Sequence, residues 1–360
     1  MIPGLPLYFS KEENRASGEG SSIRCDLCPH RCLIGPGKTG LCSVRRNHGG
    51  EPSLPWYGIV TATASDPIEK KPLYHFRPGT EIFSIGFAGC NLRCPFCQNW
   101  HISQIKGDNE AGETGKGFSP VELIAAVLKN FKSPDKAAIA YTYSEPLVHM
   151  EFLLDCMREA RKAGAANVIV SNGCVKAEAA EAVLSLTDAA NIDLKCFSEE
   201  TYSKVLGGDL GTVKNFIYKA AEKNVHLELT TLVVPGLNDS EEELDQCADF
   251  INGLEKTGKT IPWHLSAYHP AWKWNTPSTQ PRLLTAAAKR AREKVSFVYT
   301  GNIPVHDEKN FCDTHCPHCG AILVSRRGYS VNTTGLVLDN KNGKLCYLCK
   351  KCGKNIPVNW

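Results

Sequence analysis

The sequence has little of what marks membrane, secreted or nucleic-acid-binding proteins. It contains no apolar run of membrane-spanning length, and its first residues lack the basic segment and following apolar stretch of a signal peptide. Its 41 Lys and Arg residues nearly balance its 38 Asp and Glu residues, which leaves a net charge of +3. It also lacks internal repeats and low-complexity tracts. We therefore predict a cytoplasmic globular protein without a membrane segment and without a general role in binding nucleic acid.

Cysteine, in contrast, is abundant. The 360 residues include 17 cysteines, and most of them fall into three clusters along the chain. Without a secretory signal, this usage favours metal sites in a reducing cytosol over a disulfide framework. The four cysteines outside the clusters are predicted to be small buried side chains, and they are Cys156, Cys174, Cys196 and Cys247.

The cluster at Cys90, Cys94 and Cys97 has the spacing C-x3-C-x2-C. Its three thiolates are one fewer than a cubane iron–sulfur cluster ordinarily takes from protein, so one iron would stay open to a small molecule. Structural zinc and unrelated buried thiols are alternative interpretations, because the spacing recurs at 312–319 and, mirrored, at 25–32. Context favours an iron–sulfur site. A strand pattern precedes Cys90 and roughly two hundred residues of alternating strand and helix patterns follow it.

The pattern of apolar residues divides the chain into a Cys-rich extension at 1–75, a region of βα units at 76–305 and a small module at 306–360. Helix starts are predicted from capping boxes at Ser119 and Ser240, and a helix end from Gly164. Strands that read as continuous apolar runs alternate with these helices, which indicates an α/β fold with a parallel sheet. We predict an incomplete (β/α)6-type barrel with strands at 81–86, 137–143, 167–171, 189–194, 225–231, 262–267 and 295–300.

Polar side chains follow these strands at one end, where ligands bind in sheets of this kind. They are Cys90, Ser144, Glu145, Ser171, Asn172, Asp193, Lys195, Asn238, His269 and Asn302. Such consistent placement predicts a single ligand site at this rim of the barrel.

These motifs together resemble the radical S-adenosylmethionine (SAM) superfamily, in its pyruvate formate-lyase activating enzyme branch, and specifically the subgroup called AmmeMemoRadiSam system radical SAM enzymes. The resemblance implies that Cys90, Cys94 and Cys97 hold a [4Fe–4S] cluster whose open iron binds SAM. An electron then splits SAM into methionine and a 5′-deoxyadenosyl radical. The resemblance rests on Cys-Asp-Leu-Cys-Pro-His-Arg-Cys at 25–32, Cys-Pro-Phe-Cys-Gln-Asn-Trp at 94–100, Tyr-Thr-Tyr-Ser-Glu-Pro at 141–146, Asp-Leu-Lys at 193–195, Tyr-Thr-Gly-Asn-Ile-Pro at 299–304 and the final cysteine pairs.

The resemblance also implies a SAM site. Ser144 and Glu145 stand where the family has a glycine-glycine-glutamate turn whose backbone receives the SAM amino group. Asp193 matches the acceptor of the ribose hydroxyls, Lys195 the cation that holds the methionine carboxylate, and His269 a second donor to that carboxylate. From the residues alone, Asp193 and Lys195 can also be read as a surface ion pair, and His269 as a structural histidine. The predicted cofactor site is completed by Ser171, Asn172 and Asn238.

Two further cysteine sets predict metal sites. In the tail, two Cys-x2-Cys-Gly knuckles predict a closed, zinc-ribbon-like site of four thiolates, Cys316, Cys319, Cys349 and Cys352. Three more tail residues are expected to be bystanders, namely Cys312, His315 and Cys346.

The N-terminal cysteine set has the spacing C-x2-C-x3-C-x9-C and mostly basic neighbours. This pattern is compatible with either zinc or an auxiliary [4Fe–4S] cluster. The set comprises Cys25, Cys28, Cys32 and Cys42.

The leading functional hypothesis is an enzyme that cleaves SAM and abstracts hydrogen from an unidentified substrate, with electrons from a flavodoxin or ferredoxin type of donor. One version activates a glycyl radical enzyme. Another modifies a small molecule, or a protein supplied by the two families that accompany the AmmeMemoRadiSam subgroup. A hypothesis from a different class is a zinc-knuckle module that binds metal or nucleic acid, which the mildly basic tail favours and the rim residues oppose.

Overall fold

The computed structural model describes residues 6–11, 21–105, 115–303, 311–341 and 344–359. Its centre is an eight-stranded sheet, whose strands are numbered here in chain order. They are β1 (Ala62–Pro67), β2 (Glu81–Gly86), β3 (Ala138–Thr142), β4 (Ala166–Ser171), β5 (Ala189–Asp193), β6 (His226–Val233), β7 (Trp263–Ala267) and β8 (Val298–Gly301).

Seven of these strands, β2 to β8, run parallel, and each pairs with the strand that precedes it in the chain. Only β1 is antiparallel in this sheet, and it pairs with β2 from Ala62 opposite Gly86 to Pro67 opposite Glu81. Among the described strands, no ladder joins β8 back to β1. The sequential parallel order confirms the predicted α/β fold with an open, incomplete barrel.

Within the described ranges, six helices of eight or more residues connect the parallel strands. They are α1 (Pro120–Leu128), α2 (Met150–Lys162), α3 (Ala177–Leu184), α4 (Leu210–Glu222), α5 (Glu241–Glu255) and α6 (Pro281–Ala291). Shorter helical turns lie at Ile68–Lys70, Trp100–Ser103, Pro134–Lys136, Pro146–His149 and Thr201–Leu206. Each of the six helices buries an apolar face, because the sheet must be covered on its outer side. None of the helices in the described ranges is both long and apolar enough to cross a bilayer.

Local sequence signals set the helix ends. At the start of α1, Ser119 accepts a hydrogen bond from the Glu122 N–H and the Glu122 carboxylate accepts one from the Ser119 N–H, which confirms the predicted capping box. Gly164 follows α2 with a φ of +83°, a left-handed conformation that glycine adopts without strain and that ends helices. The predicted start and stop are therefore both confirmed.

At the start of α5 only half of the predicted capping box forms. Ser240 accepts a hydrogen bond from the Glu243 N–H, as expected. The Glu243 carboxylate, however, accepts hydrogen bonds from the backbone N–H groups of Phe197 and Ser198. Glu243 thus ties α5 to the loop that follows Lys195 instead of closing its own helix.

The seven predicted strands coincide with β2 to β8 to within a few residues. The strand missed is β1, which lies in the segment assigned to the N-terminal extension. A division at 75/76 therefore separates β1 from the sheet in which it pairs. The division at 305/306 falls outside the described residues, and the three-part organisation stays a prediction.

The N-terminal region is a set of short strands packed against the barrel. Its main anchor is a buried ion pair in which the Arg45 guanidinium donates to both oxygens of Glu151 on α2, at 2.8 and 2.9 Å. Leu7 adds a backbone bond to the same carboxylate. The strands are Phe9–Lys11, Ile23–Cys25, Leu33–Ile34, Arg46–His48, Glu51–Ser53 and Ile59–Val60, the last paired with Lys116–Gly117.

The tail forms two three-stranded antiparallel sheets around a small core of its own, which includes Leu323, Val324 and Ile356. It docks where the barrel strands begin, at the end opposite the rim of polar residues. There His75 bonds the carbonyl oxygen of Pro357 through Nδ1 and the Tyr299 hydroxyl through Nε2. The tail strands are Thr314–His315, Ile322–Arg327, Ser330–Asn332, Leu336–Lys341, Lys344–Cys349 and Asn355–Ile356.

A buried carboxylate organises this docking surface. Glu228, at the start of β6, is fully buried and accepts hydrogen bonds from His226 and His264 and from the backbone N–H groups of Tyr74 and His75. Burial acts to raise the pKa of Glu228, but these bonds outweigh it and hold the pKa well below its usual value. The carboxylate is therefore ionised beneath the barrel.

Candidate active site and metal centres

A cavity of about 280 Å³ lies at the carboxyl ends of the parallel strands. Nine of the predicted cofactor and metal residues line it, so the structure brings these residues together at one place. They are Cys90, Cys94, Cys97, Ser144, Glu145, Ser171, Asn172, Asp193 and Lys195. Polar residues at the ends of parallel strands converge in this way because all strands from β2 to β8 end at the same edge.

The loop after β2 carries the three cysteines. Cys90 and Cys94 are almost fully buried, and Cys97 is half-buried. The Cys90 sulfur accepts a hydrogen bond from the Leu92 N–H at 3.3 Å, and the Cys97 sulfur lies 3.2 Å from the Ser103 hydroxyl. Burial raises the pKa of Cys94 to about 11, while the nearby Lys195 ammonium opposes the shift. Such thiols are neutral at pH 7 unless a metal holds them as thiolates.

Bonds from three neighbouring segments fix the shape of this loop. The side-chain amide of Asn91 donates to the carbonyl oxygen of Cys174 at 2.7 Å, and the backbone carbonyl oxygen of Asn91 is 2.8 Å from His30 Nε2. The Arg93 N–H donates to the carbonyl oxygen of Leu206 at 2.7 Å. The cysteines are therefore presented by a braced loop and not by a free surface segment.

The turn after β3 keeps a glycine-type backbone without glycine. Tyr143 and Ser144 have φ values of +44° and +61°, a region that L side chains rarely adopt. Each side chain holds the strained backbone in place. The Ser144 hydroxyl donates to the carbonyl oxygen of Phe87 at 2.6 Å, and the Tyr143 hydroxyl donates to Asp66 at 2.8 Å. The turn therefore adopts backbone conformations that usually favour glycine, although neither residue is glycine.

Glu145 joins two loops at the base of the cavity. Its carboxylate accepts hydrogen bonds from the Ser171 hydroxyl at 2.7 Å and from the backbone N–H groups of Asn172 and Leu147 at 2.9 and 3.0 Å. Burial raises the pKa of Glu145 to about 7, although these bonds oppose the shift. The predicted residues Glu145, Ser171 and Asn172 therefore form one connected unit.

Asp193 and Lys195 form an ion pair on the cavity wall, with Nζ 2.9 Å from Oδ2. Burial acts to lower the pKa of Lys195, but the Asp193 carboxylate and the Cys94 sulfur outweigh it, so this pKa lies well above its usual value. Asp193 and Lys195 are thus paired with each other, and the pair faces the cavity that the three cysteines line.

Two predicted residues do not line the cavity. Asn238 is buried behind it, where its amide donates to the carbonyl oxygens of Lys195 and Leu232 and its side-chain oxygen accepts from the Val234 N–H. His269 is exposed, and its ring nitrogens lie 3.1 Å from the Ser278 hydroxyl and from the carbonyl oxygen of Asn302. Asn238 therefore positions the backbone of Lys195, and His269 is held at the surface beyond the rim.

The cavity is also lined by residues that the sequence analysis did not assign to the site. They include Gln98, Asn99, Ser103, Gln104, Thr230 and Ser266. Thr230 and Ser266 sit within β6 and β7, and alternation along a strand was the only signal that could have indicated them. The remaining four belong to the cysteine loop and its short helix, where closeness to Cys97 was the available clue.

The tail contains a compact thiol site. Among the described residues, Cys316, Cys319, Cys349 and Cys352 are the only set of three or more His, Cys, Asp or Glu side chains whose ligand atoms all lie within 4.8 Å of one another. The sulfur–sulfur distances are 3.7 Å for Cys316–Cys352 and 3.7 Å for Cys319–Cys349. Metal–sulfur bonds of about 2.3 Å in a tetrahedron place sulfurs about 3.8 Å apart. The site can therefore hold a single metal ion.

Comparisons with known proteins agree with this geometry. Residues 84–248, which include the three-cysteine loop, match the family model of the radical SAM superfamily. A protein of Methanocaldococcus jannaschii, itself described as uncharacterized, is 35% identical over 342 residues, covering 94% of this chain and 96% of that one. This chain belongs to the radical SAM superfamily.

Its similarity extends to enzymes of one branch. The pyruvate formate-lyase 1-activating enzyme of Escherichia coli K12 is 25% identical over 203 residues, covering 55% of this chain and 78% of the relative. A solved domain of a pyruvate-formate lyase-activating enzyme from Bacteroides vulgatus has a TM-score of 0.40 and 20% identity, covering 45% of this chain and 98% of that one. The predicted superfamily is confirmed, the similarity to activating enzymes fits the predicted branch, and the protein is a radical SAM enzyme.

The residues present fit the groups that radical SAM enzymes use. Three thiols face one cavity, and two of their sulfurs have hydrogen-bonding partners. Three protein thiolates leave one iron of a [4Fe–4S] cluster without a protein ligand. Asp193 offers a carboxylate and Lys195 an ammonium on the same wall, which suits hydroxyl donors and a carboxylate of a ligand.

Proposed function

We propose that this radical SAM enzyme binds its [4Fe–4S] cluster through Cys90, Cys94 and Cys97 and uses SAM to abstract a hydrogen atom from a substrate at the cavity mouth. The observation that supports this most strongly is the shared cavity, in which the three thiols and the Asp193–Lys195 pair face each other. When bound, the cluster supplies the electron that cleaves SAM into methionine and a 5′-deoxyadenosyl radical.

The protein's own residues hold and shield the cofactor. Lys195 would bind the methionine carboxylate of SAM, and Asp193 would accept from the ribose hydroxyls, so SAM binding would compete with their mutual ion pair. The strained turn at Ser144 would present its backbone to the SAM amino group. Glu145 keeps that turn fixed against Asn172, and Asn238 keeps Lys195 aimed into the cavity.

The substrate is proposed only as a class. The cavity is small for a site that holds both SAM and a second small molecule. We therefore place the substrate at the mouth, next to Trp100, whose ring is nearly parallel to that of Trp272 and which is 45% exposed. A protein or peptide substrate fits this position, and it includes both a glycyl radical enzyme and a protein supplied by an AmmeMemoRadiSam system. The electron donor is proposed to be a flavodoxin or ferredoxin.

Zinc is the metal we propose for the tail. The sulfur spacing matches a tetrahedral thiolate site, and zinc is the usual ion in such sites. In this role the tail is a structural module of the enzyme, which replaces the hypothesis of a free-standing zinc-knuckle protein.

The experiment is anaerobic reconstitution with iron and sulfide, followed by a SAM cleavage assay with dithionite. Wild-type protein should form 5′-deoxyadenosine, and the Cys94→Ala variant should form none, because the cluster has no spare protein ligand. Cys247→Ala is the matched control, since Cys247 is buried in α5 away from the cavity. Wild-type rates of SAM cleavage in the Cys94→Ala protein would show that the cluster assignment is wrong.

A further inference from the structure

The four N-terminal cysteines converge beside the catalytic loop. Cys25, Cys28 and Cys42 are buried and Cys32 is half-buried. The segment that leads to Cys42 packs on Cys32, since a β-carbon at Gly40 would lie 3.6 Å from the Cys32 sulfur. The backbone joins the ends of the set, since the Cys25 N–H donates to the carbonyl oxygen of Cys32 at 2.9 Å. Four thiols therefore share one partly enclosed site.

The spacing of these sulfurs differs from that of the tail site. Among the described residues, the four tail sulfurs form a group that could hold one metal ion, all within 4.8 Å of one another, and the N-terminal sulfurs do not form such a group. A single tetrahedral ion needs sulfurs about 3.8 Å apart. Cys90, Cys94 and Cys97, which hold a cluster under the proposed function, likewise form no single-ion group among the described residues. A cluster with one thiolate on each iron keeps its sulfurs farther apart than a single ion does.

The surroundings suit an anionic centre. The Leu41 N–H points at the Cys32 sulfur at 3.4 Å, much as the Leu92 N–H points at Cys90 in the catalytic loop. Hydrogen bonds to sulfur are among the features that tune iron–sulfur clusters. A backbone dipole therefore faces one of these thiols, as in the catalytic loop.

The N-terminal site touches the catalytic loop directly. Gly89 immediately precedes Cys90, and a β-carbon at Gly89 would collide with the carbonyl oxygen of Cys42. The Arg93 side chain donates to the carbonyl oxygen of Leu41, and His30 bonds the carbonyl oxygen of Asn91 at 2.8 Å. The two cysteine loops are thus packed against each other, backbone to backbone.

From this spacing, environment and contact, we propose that Cys25, Cys28, Cys32 and Cys42 ligate an auxiliary [4Fe–4S] cluster docked on the catalytic loop. With four protein thiolates this cluster has no open iron, so it does not bind SAM. It stands between the half-buried Cys32 and the buried Cys90, which is a suitable position for a redox centre that communicates with the first cluster.

The test uses the full chain with Cys90, Cys94 and Cys97 all replaced by serine, so that only the N-terminal cluster can form. After anaerobic reconstitution this variant should retain about four iron and about four sulfide per chain, besides the tail metal. Its dithionite-reduced electron paramagnetic resonance signal should not change when SAM is added. Adding Cys28→Ser should remove the iron, whereas adding Cys156→Ser, a buried cysteine outside every cluster, should not.

A second equivalent of zinc in place of iron, or two iron instead of four, would overturn the proposal. If the Cys28→Ser variant fails to fold, the metal and sulfide content of the triple variant alone decides. The result is also separate from the proposed function. An intact N-terminal cluster in a wild-type protein that does not cleave SAM would count against the proposed function only.

Discussion

Breaking the buried Arg45–Glu151 pair should detach the N-terminal region from the barrel. Both side chains are almost fully buried, at 1% and 3% exposure, and the guanidinium makes two bonds to the carboxylate. We consider Arg45→Met, which keeps most of the side-chain length and removes the charge. The variant leaves the Glu151 carboxylate buried, and from the N-terminal region the Leu7 N–H still donates to it.

The size of the expected destabilisation follows from two opposing energies, the attraction between the two charges and the cost of burying them. At 2.8 Å and an effective dielectric constant of about 20, the attraction between the charges is about 6 kcal/mol. Burying each ion costs several kcal/mol, so the intact pair contributes little net stability. When one partner is removed, the other ion stays buried but is no longer stabilised by the attraction. This typically lowers the free energy of unfolding by about 3–5 kcal/mol. The double variant Arg45→Met, Glu151→Met removes both charges and should recover most of this loss.

The assay is urea denaturation of wild type, both single variants and the double variant, all reconstituted to the same metal content. Each single variant should show a lower midpoint, and the double variant should lie near wild type, which gives a coupling energy of several kcal/mol. Lys204→Met is the control, because its ion pair with Glu200 is 74% exposed on both sides. Single variants as stable as the double variant would refute the argument that the buried charges depend on each other.

Three further predictions concern the cofactor site, the tail and its docking. Lys195→Ala should weaken SAM binding by about ten- to a hundred-fold in calorimetry, since a charge-assisted bond contributes about 1.5–3 kcal/mol, and unchanged affinity would leave Lys195 a structural ion-pair partner. Cys349→Ser should release about one zinc and make residues after 311 sensitive to protease while iron content stays constant; loss of iron instead would show a redox cluster in the tail. Burial lowers the pKa of His75 to about 4, so folding favours its neutral form and stability should fall as the pH drops below about 6.5, by about 2 kcal/mol at pH 5. A His75→Gln variant should show a smaller loss between pH 7 and pH 5 in urea denaturation, and an equal loss would assign the effect to other groups.

The sheet could be predicted because parallel strands are buried on both faces. All five residues of β3 are buried, for example, and such runs are visible as continuous apolar segments. The strand β1 was not predictable in this way. It has the sequence Ala-Thr-Ala-Ser-Asp-Pro, its burial alternates, and it sits at the edge of the sheet, where Pro67 and the ion-paired Asp66 are tolerated.

The site was predictable where chemistry requires a residue type, and not where geometry alone decides. Thiols, a carboxylate and an ammonium at strand ends identified Cys90, Asp193 and Lys195. Residue type could not show that Asn238 turns its amide toward the backbone behind the cavity, nor that His269 bonds outward to Ser278. Both depend on loop conformations after β6 and β7, which follow from long-range packing.

The anchoring of the N-terminal region has a consequence for the order of events during synthesis. Arg45 and Glu151 are 106 residues apart, and Lys176, which bonds the carbonyl oxygen of Leu27, lies farther along still. At about 5–20 residues per second, a ribosome needs roughly 5–20 s to make the segment between the two partners of the ion pair. The four N-terminal cysteines therefore leave the ribosome well before the surface that receives them exists, and the cluster proposed for them could be enclosed only after the first half of the barrel has been made.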